Sequence, residues 1–129
     1  MSRYIVDAWA WVEYLVGSQC GVKVKEILDE DNSEVYTCAI TLGEVISKVA
    51  REGRDAEAAY DMLLSNSKVA NVDEVLSFQA GLLHCEMRKT LKDFGLADAY
   101  VLAAARKLRA KVLTGDIHFK NVKDAILIK

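Results

Sequence analysis

"YIVDAWAW" (Tyr4–Trp11) is the stretch whose reading decides the fold. Tyr4–Val6 is an aromatic and β-branched run that suits a buried strand, and "AWAWVEYLV", running up to Gly17, reads as a helix. Between the two stands a single carboxylate, Asp7. Burying an unpaired charge costs several kcal/mol. An acid at the junction of a buried strand and a helix therefore needs a partner or a task. Capping the helix that starts at Ala8 is one such task, since Asp is a favoured N-cap residue.

The same strand-then-helix grammar continues along the chain. "GVKVKEILDED" is amphipathic and favours helix, and "EVYTCAI" (Glu34–Ile40) is a second strand. "TLGEVISKVAREG" is a helix ending at Gly53, and "DAEAAYDMLLSN" another, rich in good helix formers. "KVANV" (Lys68–Val72) is a short third strand. "DEVLSFQAGLLHCEMRKTLKDFG" opens on acids, closes on bases and stops at Gly95, as the helix macrodipole favours. "LADAYVLAAARKLR" is a helix with a wide apolar face. "AKVLTG" (Ala110–Gly115) and "AILIK" (Ala125–Lys129) complete five strands. Alternating strands and helices imply crossover connections, hence a mainly parallel sheet covered by helices on both faces. The strands are nearly continuous apolar runs, as a doubly covered sheet requires. No linker, repeat or low-complexity tract interrupts residues 1–129, which read as one domain.

Ligands of such folds bind beyond the carboxyl ends of the strands. Asp7 and Asp116 each follow a strand directly, in "YIV-D" and "VLTG-D". Glu44 falls near the start of the helix after the second strand. Asp98 starts the helix before the fourth strand, so its end of that helix points to the same sheet edge. Each acid has a local explanation: a cap for Asp7, a Thr41–Glu44 capping box in "TLGE", dipole stabilisation for Asp98, a turn for Asp116. Together they gather four carboxylates at one edge, where mutual repulsion raises their pKa values. A divalent cation resolves that conflict. Oxygen donors favour Mg²⁺ or Mn²⁺ over zinc, for no Cys and His spacing of the zinc type occurs. A cation held in this way suits phosphodiester hydrolysis.

Composition sets the boundaries. The chain is 52% hydrophobic and 28% charged, ordinary for a soluble globular protein, with a formal net charge of −2. That balance does not carry the basic footprint of most nucleic-acid binders, but a bound cation or a local basic patch supplies positive charge where it is needed. Three widely spaced cysteines, Cys20, Cys38 and Cys85, read as free thiols in a reducing compartment. No signal-peptide pattern opens the chain, and no apolar run reaches the ~18 residues that span a bilayer, so a cytoplasmic location without membrane attachment is expected.

Four segments, "YIVDAWAWVEYL", "TLGEVISKV", "LADAYVLAAA" and "VLTGDIHFKNV", in this order and spacing, resemble the PIN-domain family, and most closely its VapC-type toxin ribonucleases. The resemblance covers nearly the whole chain. It implies a three-layer α/β/α fold whose five-stranded parallel sheet has the order 3-2-1-4-5. It implies a Mg²⁺- or Mn²⁺-dependent endoribonuclease that is the toxin of a type II toxin–antitoxin pair, often homodimeric and restrained by a small antitoxin. It points to Asp7, Asp98 and Asp116 as catalytic metal ligands, with Glu44 a ligand directly or through water, and to Thr114 as a supporting hydroxyl. Two positions depart from the family pattern. Trp9 stands where many members carry Ser or Thr, and His118 stands where many carry a further acid. His118 reads as a surface turn residue, with contact to phosphate or to a metal-bound water as the alternative, and four acids alone suit a single tightly held ion. The alternative is a PIN-like module that binds RNA or protein without catalysis.

Basic residues cluster as Lys48, Arg51 and Arg54, as Arg88, Lys89 and Lys92, and as Arg106, Lys107, Arg109 and Lys111. They read as solvated helix ends or as a track for an RNA backbone. Trp9 and Trp11, two residues apart on a helix, point to different faces, one to the core and one to a site rim or an interface. Leu83 and Met87 are read as outward apolar residues of the long helix, available to a second copy or an antitoxin.

Overall fold

The structure, a computed structural model, describes residues 1–129. In chain order the elements are β1 (Ser2–Val6), α1 (Ala8–Val16), α2 (Gln19–Leu28), β2 (Ser33–Cys38), α3 (Ala39–Arg51), α4 (Ala56–Asn66), β3 (Lys68–Ala70), α5 (Glu74–Arg88), α6 (Leu96–Leu108), β4 (Lys111–Thr114) and β5 (Ala125–Leu127). A 3-10 turn, Ile117–Phe119, lies between the last two strands. The sheet has five strands in the order β3-β2-β1-β4-β5. Every pairing is parallel, with Ile5 opposite Tyr36 on one side and Val6 opposite Leu113 on the other. This is the three-layer α/β/α architecture expected, and β1 is its centre. Chain order reverses about β1, so the crevice that ligands favour opens where β1 and β4 end.

Strand periodicity sends alternate residues to opposite faces. Ile5 and Val112 join Leu76, Phe94 and Leu102 under α5 and α6. Val6 and Leu113 join Trp11, Val24, Val45 and Leu63 under α1, α2, α3 and α4. Trp11 is fully buried and needs a partner for its indole N–H. It donates to Thr37 Oγ1 at 3.1 Å, which lies 2.7 Å from Ser67 Oγ, and that hydroxyl donates to Leu63 O at 2.7 Å. This chain of polar groups ties β2 to α4 inside an apolar layer. Thr37→Val keeps the shape but strands the indole N–H, at about 1–3 kcal/mol. Chemical denaturation should show that loss.

Three boundaries differ from the sequence reading. β2 ends at Cys38 and α3 starts at once at Ala39, so Thr41 is already inside the helix, and the Thr41–Glu44 capping box does not form. The Thr41 hydroxyl is buried without a hydrogen-bond partner. The long helix ends at Arg88 and does not reach Gly95, because Leu91 and Phe94 must turn back into the core. Phe94 is fully buried, its carbonyl lies 3.1 Å from His84 Nε2, and its ring packs on Phe119 at a centroid distance of 5.6 Å. A helix continuing to Gly95 would carry Phe94 away and misplace the start of α6. Leu83 and Met87 face that core, and the outward apolar residues of α5 are Val75, Phe78 and Leu82. All three cysteines are free, with Cys38 buried and Cys85 exposed. No helix is long and apolar enough to cross a membrane.

Candidate metal centre

The parallel strands deliver their carboxyl ends to one edge. Asp7 leaves β1 there, and its N–H bonds Leu113 O at 3.1 Å, one residue beyond the strand. Its carboxylate caps α1 by accepting from the Ala10 N–H at 2.9 Å. The side chain is nevertheless almost fully buried, with 5% of its surface exposed. Burial pushes the Asp7 carboxyl up to about 7, against the pull of hydrogen bonds from the Thr114 hydroxyl and the Ala10 N–H. The charges of Asp98 and Asp116 raise it further.

Thr114, fully buried at the end of β4, ties two of the acids together. Its hydroxyl donates to Asp7 and accepts from the Asp116 N–H at 2.9 Å. Asp116 starts the 3-10 turn, accepting from the His118 N–H at 2.9 Å. Buried Phe119 pins the turn to the core. Asp98 lies in the first turn of α6 and reaches back to the Gly95 N–H at 3.2 Å. Its carboxyl is raised chiefly by burial, with Asp116 adding to the shift and His118 opposing it. Glu44, freed from the capping role, stands solvent-exposed at the mouth on α3, raised by partial burial and by the charge of Asp98.

One residue joins the centre that sequence reasoning left in a surface turn. His118 is half-buried, and its Nδ1 lies 2.9 Å from Asp116 Oδ1 without making a hydrogen bond. One donor atom from each of Asp98, Asp116 and His118 falls within 4.8 Å of the others. Asp7 and Glu44 adjoin this trio through their charges. The sequence signal for His118 was its place two residues after Asp116, which in a tight turn returns a side chain to the same side.

None of the four acids is within ion-pair distance of a Lys or Arg. Carboxylates gathered at one edge without cationic partners are the donor chemistry of a hard divalent cation. The residues present therefore fit such an ion.

The family model of the PIN domain matches residues 4–125. The chain belongs to the PIN-domain family. Solved structures with the same fold as this PIN domain include VapBC2 from Rickettsia felis bound to a promoter DNA fragment, 21% identical with a TM-score of 0.74 over 97% of this chain and 96% of that one. A toxin–antitoxin complex from Klebsiella pneumoniae is 18% identical with a TM-score of 0.77, over 98% of each chain. Mycobacterium tuberculosis VapC20, a sarcin-ricin loop cleaving toxin, is 23% identical with a TM-score of 0.67, over 84% of this PIN domain and 85% of that chain. No curated protein matches the sequence.

The acidic centre gives this PIN domain a definite pH response. The Asp7 pKa in the folded chain lies above its unfolded value of 3.8, so between pH 4 and 7 the folded state holds a proton that the unfolded state has released. The stability this confers is complete below about pH 4 and is lost as pH rises through about 7. From 3.8 to about 7 is roughly three pH units, on the order of 4 kcal/mol for Asp7, with Asp98 acting in the same direction. Thermal melts in EDTA should fall from pH 5 to pH 8. Mn²⁺ should reverse the trend, since its ligands must be deprotonated.

Proposed function

We propose that this chain is a divalent-metal-dependent endoribonuclease, the toxin of a VapBC-like toxin–antitoxin pair. The observation that carries the reading is the set of four unpaired carboxylates at the carboxyl edge of a PIN sheet. The solved toxin–antitoxin complexes of the same fold support the biological role, and the sarcin-ricin loop cleavage named for VapC20 supports the chemistry. Exposed apolar residues, Val75, Phe78 and Leu82 on α5 and Tyr60 and Leu64 on α4, offer surface for a small antitoxin and for a second copy of the chain. A cytoplasmic setting accords with three free thiols.

Asp7, Asp98 and Asp116 would hold Mg²⁺ or Mn²⁺, with Glu44 a ligand directly or through water. The imidazole of His118 makes Mn²⁺ the better fit of the two. The ion, when bound, neutralises phosphate oxygens and makes water a stronger nucleophile near neutral pH. The protein's own part is positional. Thr114 fixes the Asp7 carboxylate and, through the Asp116 N–H, the start of the turn. The His118 backbone N–H holds Asp116 from the other side. Glu44, at the open mouth with its pKa raised by partial burial and by the charge of Asp98, orients the attacking water and takes its proton.

The test is cleavage of a varied RNA panel with Mg²⁺, Mn²⁺ or EDTA, comparing wild type with Asp98→Asn. Cleavage should require the metal and fall at least about 100-fold in the variant. RNA binding with no cleavage under any of these conditions would instead identify a non-catalytic PIN module.

A further inference from the structure

Trp9 is the one large aromatic side chain at the acidic edge that the chemistry above does not use. It is half-buried on the first turn of α1, with its inner side against the core and its ring pressed on the backbone of Gly115. It also forms the wall between two clefts. One, of about 450 Å³, is lined by Trp9, Glu44, Lys48 and Arg51, with Glu13 at its side. The other, of about 540 Å³, is lined by Trp9, Asp116, Ile117, Lys120 and Lys129. Each cleft thus carries one acid of the centre and two cations, and the first carries Glu13 as well. Lys120 and Lys129 have no carboxylate within ion-pair distance, and Lys48 has only an exposed contact to Glu52 at 3.4 Å. Beside them, Ile117 is 71% exposed and Leu127 38% exposed, an apolar rim next to the indole.

An aromatic ring between two clefts that each offer a pair of cations matches a strand that alternates phosphates and unstacked bases. Duplex RNA keeps its bases inside the helix and has none to offer the ring. Resting on the nuclease reading above, we infer that single-stranded RNA crosses the acidic centre along this line. One phosphate is held by Lys48 and Arg51, the next by Lys120 and Lys129, and the base between them packs on Trp9. The phosphate held by Lys120 and Lys129, beside Asp116, is then the scissile one. The Trp9 that replaces the family's small hydroxyl residue is, on this account, the element that requires substrates to present an unpaired base.

The experiment uses the full chain carrying Asp7→Asn to block cleavage, with a mixed-sequence single-stranded RNA oligonucleotide and its duplex as probes. Trp9→Phe keeps a ring, whereas Trp9→Leu keeps only apolar bulk. Affinity for the single strand should fall about tenfold or more in Trp9→Leu and much less in Trp9→Phe. Indole emission should be quenched by the single strand, and the response should vanish in Trp9→Phe, where buried Trp11 alone remains. Lys48→Ala and Lys120→Ala should each flatten the salt dependence by about 0.7 in log–log slope. Thermal melts identify a variant that has lost its fold. Wild-type affinity and salt slope in Trp9→Leu and both lysine variants would overturn the track, and so would equal binding of the duplex. A parallel cleavage assay on the chain with native Asp7 separates the two claims. Cleavage with unchanged kcat/KM in Trp9→Leu refutes the track alone, whereas absence of cleavage in the unsubstituted chain refutes the nuclease reading.

Discussion

Asp7→Asn should abolish RNA cleavage and, in the same protein, raise the melting temperature of the metal-free form at pH 8. The two effects share one cause. At pH 8 the Asp7 carboxyl, with its pKa near 7, is ionised while almost fully buried and beside other acids. Asparagine removes that charge and keeps an oxygen for the Ala10 N–H, because Asn caps helices about as well as Asp. Relief of the burial cost should add roughly 1–3 kcal/mol to stability in EDTA. The gain should shrink toward pH 5, where wild-type Asp7 is largely protonated. Loss of a charged ligand should cost at least about 100-fold in cleavage, or about 2.7 kcal/mol of transition-state stabilisation. A variant that melts lower at both pH values would show that Asp7 is a structural acid with a local partner.

Gly115→Ala should be strongly damaging for so small a substitution. Gly115 is buried, and a Cβ there would overlap the six-membered ring of Trp9, pressing on Cζ3, Cη2 and Cε3. Its φ is not in the left-handed region, so the cost is steric and not conformational. The ring cannot retreat freely, since its inner side packs on the core under α1. Overpacking of this kind costs about 3 kcal/mol, and for a chain of this length the melting temperature should fall by roughly 10 °C. Because Asp116 is the next residue, activity should fall further than stability alone explains. The double variant Trp9→Ser with Gly115→Ala should recover most of the loss relative to Trp9→Ser. A coupling energy above about 1 kcal/mol in that cycle would establish the contact, and additive effects would deny it.

The sheet was legible because its strands are short apolar runs between helices, and that pattern dictates parallel pairing without any knowledge of side-chain contacts. The acids were legible for a related reason, as residues just past strand ends or at a helix start must converge on one edge. What escaped depends on packing. Glu44 looked like half of a capping box, because nothing local reveals that α3 begins directly at the end of β2. The early end of α5 follows from the burial of Phe94 against Phe119, a contact between residues 25 positions apart. His118 joins the centre only because the 3-10 turn folds its ring back toward Asp116. Trp9 and Trp11 could be assigned to different faces from their spacing, but the clefts beside Trp9 are built from α3 and from the segment after β4.

The most direct measurement of the central claim is the chemistry of the cut ends, read with and without metal. RNA incubated with the wild-type chain in Mn²⁺ should yield fragments with a phosphate on one side of the cut and a hydroxyl on the other. No 2′,3′-cyclic phosphate should appear, because water and not the neighbouring 2′-hydroxyl is the nucleophile. EDTA should stop the reaction, and added Mn²⁺ should restore it. Cyclic phosphate ends, or cleavage that continues undiminished in EDTA, would contradict a carboxylate-held metal centre built on Asp7, Asp98 and Asp116.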